Sequence, residues 1–240
     1  MRLLALETSS AVASLALYEA GAVTRADSFA AGMTLCQELP GRILSLLECD
    51  RLADTGLTAL AVSLGPGSFT GLRVGLALAK AVAHCLGLPL VGVPSPEVIA
   101  AGLGAGEARI AVLQHSRADE MYVALFEGGE GAAGRSVGAH PTFVASLPVA
   151  VQRVVEFGAE IACGDAIARH RDALAAALGD ITLAPEDLQY PRAEVLARLA
   201  AERVAAADPQ AMFALTPAYV VSSQAERAAA EKQAAETRER

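Results

Sequence analysis

From Ala59 the chain reads ALAVSL, then GPGSFTG, then LRVGLALAKAVAHCL, one glycine, and LPLVGV. A short buried run, a glycine-rich turn, a long helical stretch and a second buried run form a strand–helix–strand unit. Strands joined through a helix lie parallel, because the crossover returns the chain to the same end of the sheet. Upstream the pattern differs. RLLALE, AVASLALYEAG and AVTRADSFA are three strand-like runs joined by tight connections, which reads as an antiparallel meander. A meander followed by crossover helices predicts a mixed sheet in an α/β fold. Met33 to Glu48 has helical spacing at Leu35, Leu39, Ile43 and Leu46, with Pro40 marking a kink or the true start. Pro94 and Pro96 open a further helix, so the first half reads βββαβαβα.

Gly102 to Gly106 reads as a junction between two lobes, after which the pattern partly restarts. ARIAVLQHS and DEMYVALFEGG look like a hairpin, EIACGD like a later buried strand, and AIARHRDALAAAL like one helix. RAEVLARLAAERVAAA is an amphipathic helix with Val195, Leu196, Leu199 and Val204 on one side. The expected division is 1–104 for the first lobe, 105–221 for the second, and 222–240 for an Ala-rich charged tail, helical or disordered. Apolar residues are 53% of the 240, with no Trp and 4% aromatics, so Ala, Leu and Val fill the core.

GPGSFTG has two readings. A strand, glycines and a helix start can cradle phosphate, since free backbone N–H groups and the helix dipole favour an anion. The known signatures fail, however. Gly71 is followed by Leu72 and Arg73 where a P-loop needs Lys and Ser/Thr, and Thr70 stands where a dinucleotide fingerprint needs its third glycine. The plainer reading is a tight turn with Ser68 or Thr70 capping the helix. The helix behind it constrains more. Gly71, Gly75, Ala79 and Ala83 recur every fourth residue as a ridge along which another backbone can approach. Arg73, Lys80 and His84 make a thin polar stripe, and Leu72, Val74, Leu76, Leu78 and Val82 fill the rest. Such a helix either runs through a core or meets another subunit. The lack of a polar outer face favours the subunit interface.

Net charge is −8, which opposes autonomous binding to nucleic acid or an anionic membrane. The N-terminal apolar run meets Glu7 at once, too early for a signal peptide or span, and the expectation is a cytoplasmic protein. Cys36, Cys49, Cys85 and Cys163 show no C-x-x-C spacing and read as buried free thiols. His84, His115, His140 and His170 form no H-x-x-x-H or H-E-x-x-H pair, so no metal site is expected. Glu7, followed by Thr8, Ser9 and Ser10, either holds a metal near a phosphate or simply ends a strand.

LLALETSSAVASLALYEAG together with SLGPGSFTGLRVGLALAKAVAHCLGLPLVGV resembles the bacterial TsaB family, also called YeaZ, well over residues 1–126 and loosely beyond. The specific part is G-P-G-S-F-T-G-L-R. The resemblance implies a two-lobed actin-like ATPase (ASKHA, ribonuclease H-like) fold. It also implies a non-catalytic subunit that binds TsaD, with TsaE in a larger complex, in forming threonylcarbamoyladenosine at position 37 of tRNA. On its own such a chain is expected as a homodimer, touching tRNA only through the complex. The expected interface is Leu35, Leu39, Ile43, Gly71, Arg73, Gly75, Ala79, Lys80 and Ala83. Glu7, Thr8, Ser9, Gly65, Gly67, Ser68 and Thr70 would be a relic of a nucleotide cradle. No cofactor is required on this reading. The alternative is an actin-fold phosphotransferase or hydrolase that holds ATP–Mg between the lobes with the Gly65–Thr70 loop and Glu7.

The metal motif of TsaD would fall in GMTLCQELP, which has no histidine. Three stretches depart from the family pattern: Glu7 for the commoner Asp, His115 at the acidic position of HSRADEMY, where Arg117, Glu120 and Tyr122 are kept, and TPAYVV near the end.

Overall fold

The computed structural model describes residues 1–104, 106, 108–117, 119–128, 137–138, 141–218 and 220. His140 and the 222–240 tail lie outside the described residues. The first sheet contains β1 (Arg2–Glu7), β2 (Val12–Glu19), β3 (Ala22–Ala30), β4 (Ala59–Ser63) and β5 (Leu90–Val93), in the order β3-β2-β1-β4-β5. β1 runs antiparallel to β2 and parallel to β4, which in turn is parallel to β5. The meander and the crossovers therefore share one mixed sheet, as the pattern requires.

Side chains alternate across a strand, and here each face has its own cover. Leu4, Leu6, Leu15, Leu17, Leu60 and Val62 face α1 (Leu35–Leu47) and α2 (Phe69–Leu86). Leu3, Ala5, Ala16, Ala59 and Ala61 face α7 (Ala193–Ala201), whose Ala193, Ala197 and Ala200 meet them. Alanine on both sides lets the α7 backbone come close to the strands. α1 begins at Leu35, so Pro40 sits inside it and marks no start. An interior proline costs about 3 kcal/mol. Each buried Leu or Ile returns about 2 kcal/mol, and this helix buries five: Leu35, Leu39, Ile43, Leu46 and Leu47.

The second sheet repeats the topology. β6 (Ile110–Arg117) and β7 (Glu120–Glu127) form the antiparallel hairpin. β8 (Val137–Gly138) and β9 (Phe143–Ser146) pair with β7, and β10 (Ile161–Cys163) and β11 (Thr182–Leu183) extend the sheet parallel to β6. α4 (Leu147–Phe157), α5 (Asp165–Arg169) and α6 (Arg171–Leu178) cover one face through Ala150, Val154, Ile167, Leu174 and Leu178. The single helix expected over 166–178 is two, broken at His170, and nothing in the local sequence marks the break. The other face takes Ile99 and Ala100 from α3 (Ser95–Gly102), so a helix of the first half covers both sheets.

The chain does not divide at 104/105 into two contiguous lobes. α7 packs on the first sheet, tied to α3 by the Arg203–Glu97 ion pair and by Arg192 donating to the Gly102 carbonyl at 3.4 Å. The strap after it, including a 3-10 turn over Pro209–Ala214, buries Met212 in the first core and brings the Ala218 N–H to the Leu64 carbonyl at 2.7 Å. The first lobe is thus completed by the end of the described chain.

Candidate functional site

The turn after β1 and the turn before α2 meet at the top of the first sheet, and glycines set how closely. A Cβ on Gly67 would lie 2.1 Å from the Ser9 carbonyl oxygen, and one on Gly71 would lie 2.0 Å from that of Thr8. One on Gly75 would lie 2.1 Å from Thr8 Oγ1, which donates to the Gly71 carbonyl at 2.8 Å. Three N–H groups of this turn are spent within the chain. Ser68 N–H donates to the Ser9 carbonyl at 2.7 Å, Gly71 N–H to Ser68 Oγ at 3.2 Å, and Leu72 N–H to the Ser68 carbonyl at 2.9 Å. Gly65 joins through its carbonyl, which accepts from Ser95 N–H at 2.9 Å. Glu7, Thr8, Ser9, Gly65, Gly67 and Ser68 do come together, then, but as a self-capped knot. Thr70 is exposed on α2 and stands outside it.

Glu7 lies fully buried within this knot. Its Oε1 accepts from Ser9 N–H at 2.6 Å, and Ser9 Oγ accepts from Ser95 Oγ at 2.8 Å. Burial pushes the carboxyl above its ordinary range, against the opposing pull of Ser9, Ser63 and Thr8. Ser63 Oγ lies near enough to act on it, but neither it nor Glu7 Oε2 completes a hydrogen bond. No ion pair reaches Glu7 among the described residues.

The second lobe has a related contact, between the turn after β10 and the strand β6. Gly164, at φ 110°, opens the turn after β10, and a Cβ there would lie 2.2 Å from the Leu113 carbonyl oxygen. His115 N–H donates to Asp165 Oδ1 at 2.7 Å, and Arg169 Nη1 lies 3.2 Å from His115 Nε2. Burial lowers the His115 pKa and raises that of Asp165; Arg169 adds to the first effect. Among the described residues no three His, Cys, Asp or Glu side chains gather as a metal site. Of the four cysteines, all free, only Cys163 is fully buried; Cys36 and Cys85 are exposed, contrary to expectation. Burial pushes the Cys163 thiol up, which keeps it protonated.

The expected interface needs correction. Leu35, Leu39, Ile43, Gly71, Gly75, Ala79 and Ala83 are buried in the chain's own first core. The small-residue ridge does admit a close backbone, but that backbone is the chain's own Thr8 turn, together with the sheet beneath. Arg73 and Lys80 do face outward, beside exposed Ala77, Ala81 and His84, which the sequence reading passed over as interface residues. Phe69 flanks this row, with the Arg73 guanidinium 3.6 Å above its ring centroid. Phe213 of the strap, 57% exposed, sits edge-on to His84 at 5.6 Å, and its carbonyl accepts from Lys80 Nζ at 3.2 Å. No local signal in the sequence ties Phe213 to a helix 130 residues upstream. The outward row was legible, since it lies opposite the ridge at 100° per residue.

The family model for TsaD, tRNA N6-adenosine threonylcarbamoyltransferase, matches residues 36–229. The chain is also similar to the tRNA threonylcarbamoyladenosine biosynthesis protein TsaB of Escherichia coli K12, with 34% identity over 138 residues. This chain belongs to the TsaB/YeaZ family. The E. coli match covers 54% of this chain and 57% of that relative. The Bacillus subtilis TsaB is 35% identical over 82 residues, covering 34% of this chain and 35% of its own length. The matched stretch thus spans between about a third and just over half of these curated TsaB relatives. In structure, YeaZ from Pseudomonas aeruginosa superposes with a TM-score of 0.71 at 23% identity, over 91% of this chain and 99% of that one. That likeness shows that the chain shares the fold of this YeaZ protein.

Proposed function

We propose that this chain serves tRNA threonylcarbamoyladenosine formation as a non-catalytic subunit that binds TsaD. TsaE would join the larger complex, tRNA would be reached only through it, and the setting would be the cytoplasm. The observation that carries this reading is the self-capped turn at Gly67–Gly71, where the Ser68 and Gly71 N–H groups are already paired within the chain, beside an α2 face left open. A chain whose cradle is filled by its own carbonyls is better suited to holding a partner than to turning over a nucleotide. Curated relatives with this sequence pattern are named for threonylcarbamoyladenosine biosynthesis. The docking surface is the outward row of α2 rather than its small-residue ridge.

Reconstitution tests the proposal. Adding the chain to TsaD and TsaE is expected to raise threonylcarbamoyladenosine yield on tRNA, and Ala77→Arg is expected to abolish both that gain and TsaD binding while leaving the fold intact. Micromolar ATP–Mg binding with turnover by the isolated chain would instead favour the phosphotransferase alternative.

A further inference from the structure

His115, at the far end of β6, is held by a contact that only one of its protonation states can make. A guanidinium donates hydrogen bonds and does not accept them. Arg169 Nη1 lies 3.2 Å from His115 Nε2, so that nitrogen keeps its lone pair and the neutral ring carries its proton on Nδ1. Nδ1 is buried with no partner among the described residues, so no acceptor on that side steadies a positive ring. Arg169 ends α5, and His170 follows it at the break that separates α5 from α6. The opposing carboxylate is Asp165, at the start of α5, whose Oδ1 is engaged with the His115 N–H at 2.7 Å. On the strand itself Arg117 is paired with Glu120 at 3.1 Å, and across the hairpin His115 faces the uncharged Met121. Burial first, and Arg169 next, hold the His115 pKa below its ordinary value; Asp165 pulls the other way and His170 adds to the lowering.

We propose that His115 and Arg169 form a pH-dependent latch: neutral His115 pins the end of α5 to β6, and its protonation in mild acid releases Arg169 and loosens the joint between α5 and α6. A proton on Nε2 removes the lone pair that Arg169 uses and sets two like charges at contact distance. Arg169 is exposed, so its guanidinium can turn to water without unburying a charge. A carboxylate at position 115 would keep its hold on Arg169 well below neutrality; histidine makes the tie conditional between about pH 5 and 7. The open joint binds this proton more tightly than the closed one. The closed joint is therefore held in full above the ordinary histidine pKa and loses that stability as pH falls through the lowered one.

Hydrogen exchange on the full chain tests the latch, with His170→Asn as the background so that one imidazole titrates at the joint. The reporters are the amides at positions 170 and 174, which donate to the Ala166 and His170 carbonyls at 3.0 and 2.9 Å. After correction for the intrinsic pH dependence of exchange, their opening is expected to rise by up to about tenfold for each pH unit between the ordinary and the lowered His115 pKa. His115→Gln, whose side-chain carbonyl can accept from Arg169 at any pH, should abolish that rise. Imidazole nitrogen shifts give a second readout on the native ring: the proton should sit on Nδ1 at about pH 8, and the ring should titrate below its ordinary value. A proton found on Nε2 would overturn the proposal, as would a titration at or above the ordinary value, or opening with the same pH dependence in the His115→Gln chain. Should His115→Gln fail to fold, the tautomer and titration of the native ring decide alone.

Discussion

The two lobes build the same joint with different parts. In each, a glycine in the turn after a strand parallel to the lobe's first strand presses against the backbone of that first strand or of the turn leaving it. In the first lobe the contact is broad. Gly67, Gly71 and Gly75 all lie against the Ser9 and Thr8 turn, and an 18-residue helix continues from it. In the second lobe a single glycine, Gly164, meets the Leu113 carbonyl, and the helix that follows has five residues. The carboxyl also changes sides. Glu7 comes from the strand and holds its own turn, whereas Asp165 comes from the helix and reaches back to His115 on the strand. A repeated topology thus conserves where backbones touch while leaving free which residue supplies the charge.

The largest effect tests the shared contact. Gly164→Ala drives a Cβ into backbone and forces φ 110° on a residue with a side chain, so it should cost about 3 kcal/mol or more, read by denaturant unfolding. Gly67→Ala, which meets the Ser9 carbonyl, should cost a similar amount. If Gly164→Ala is harmless, the joint of the second lobe is not built as described. Next comes Gly75→Ala, expected to cost about 2 kcal/mol because the nearest atom is a side-chain oxygen, Thr8 Oγ1. Thr8→Ala should relieve part of it, so the double-mutant cycle shows coupling of about 1 kcal/mol. Gly75→Leu should fail to fold rather than selectively lose a partner. Ser68→Ala, which removes the N-cap acceptor of Gly71 N–H, should cost about 1 kcal/mol.

The smallest offset at neutral pH is expected from Glu7→Gln, which sharpens the comparison of the carboxyls. Burial raises the folded pKa of Glu7, so its contribution to stability is present in full below the unfolded value and is lost as pH rises through the folded one. Wild type should therefore melt progressively lower as pH climbs above the ordinary carboxylate range, and Glu7→Gln should flatten that slope. Melting curves with identical pH dependence for both proteins would rule the assignment out.

Much of the frame was legible in the sequence. The buried run RLLALE, the strand-like order of Val12, Ser14, Leu15 and Leu17, and Gly87 closing α2 placed the first sheet and its helices. The half-repeat was visible as a faint restart after Gly106 and is explicit in the strand order of the second sheet. Periodicity says which side of a helix wants cover, not what covers it, and that is where the reading of α2 failed. Gly71, Gly75, Ala79 and Ala83 do mark a close approach, but the approaching group, Thr8, is more than sixty residues upstream and carries no local sign of its role. The same blindness hid the return of α7 and Phe213 to the first lobe. At His170 no glycine or proline signals the break between α5 and α6.

The returning segment has a consequence for how the chain is made. Ala5, Ala16, Ala59 and Ala61 emerge early from the ribosome, yet the helix that shields them is encoded at 193–201 and its fastening strap at 209–218. Until those residues are made the first sheet is half-roofed, and contacts closed across so long a sequence separation form slowly. The nascent protein is most prone to clumping in the interval before residues 193–218 are made.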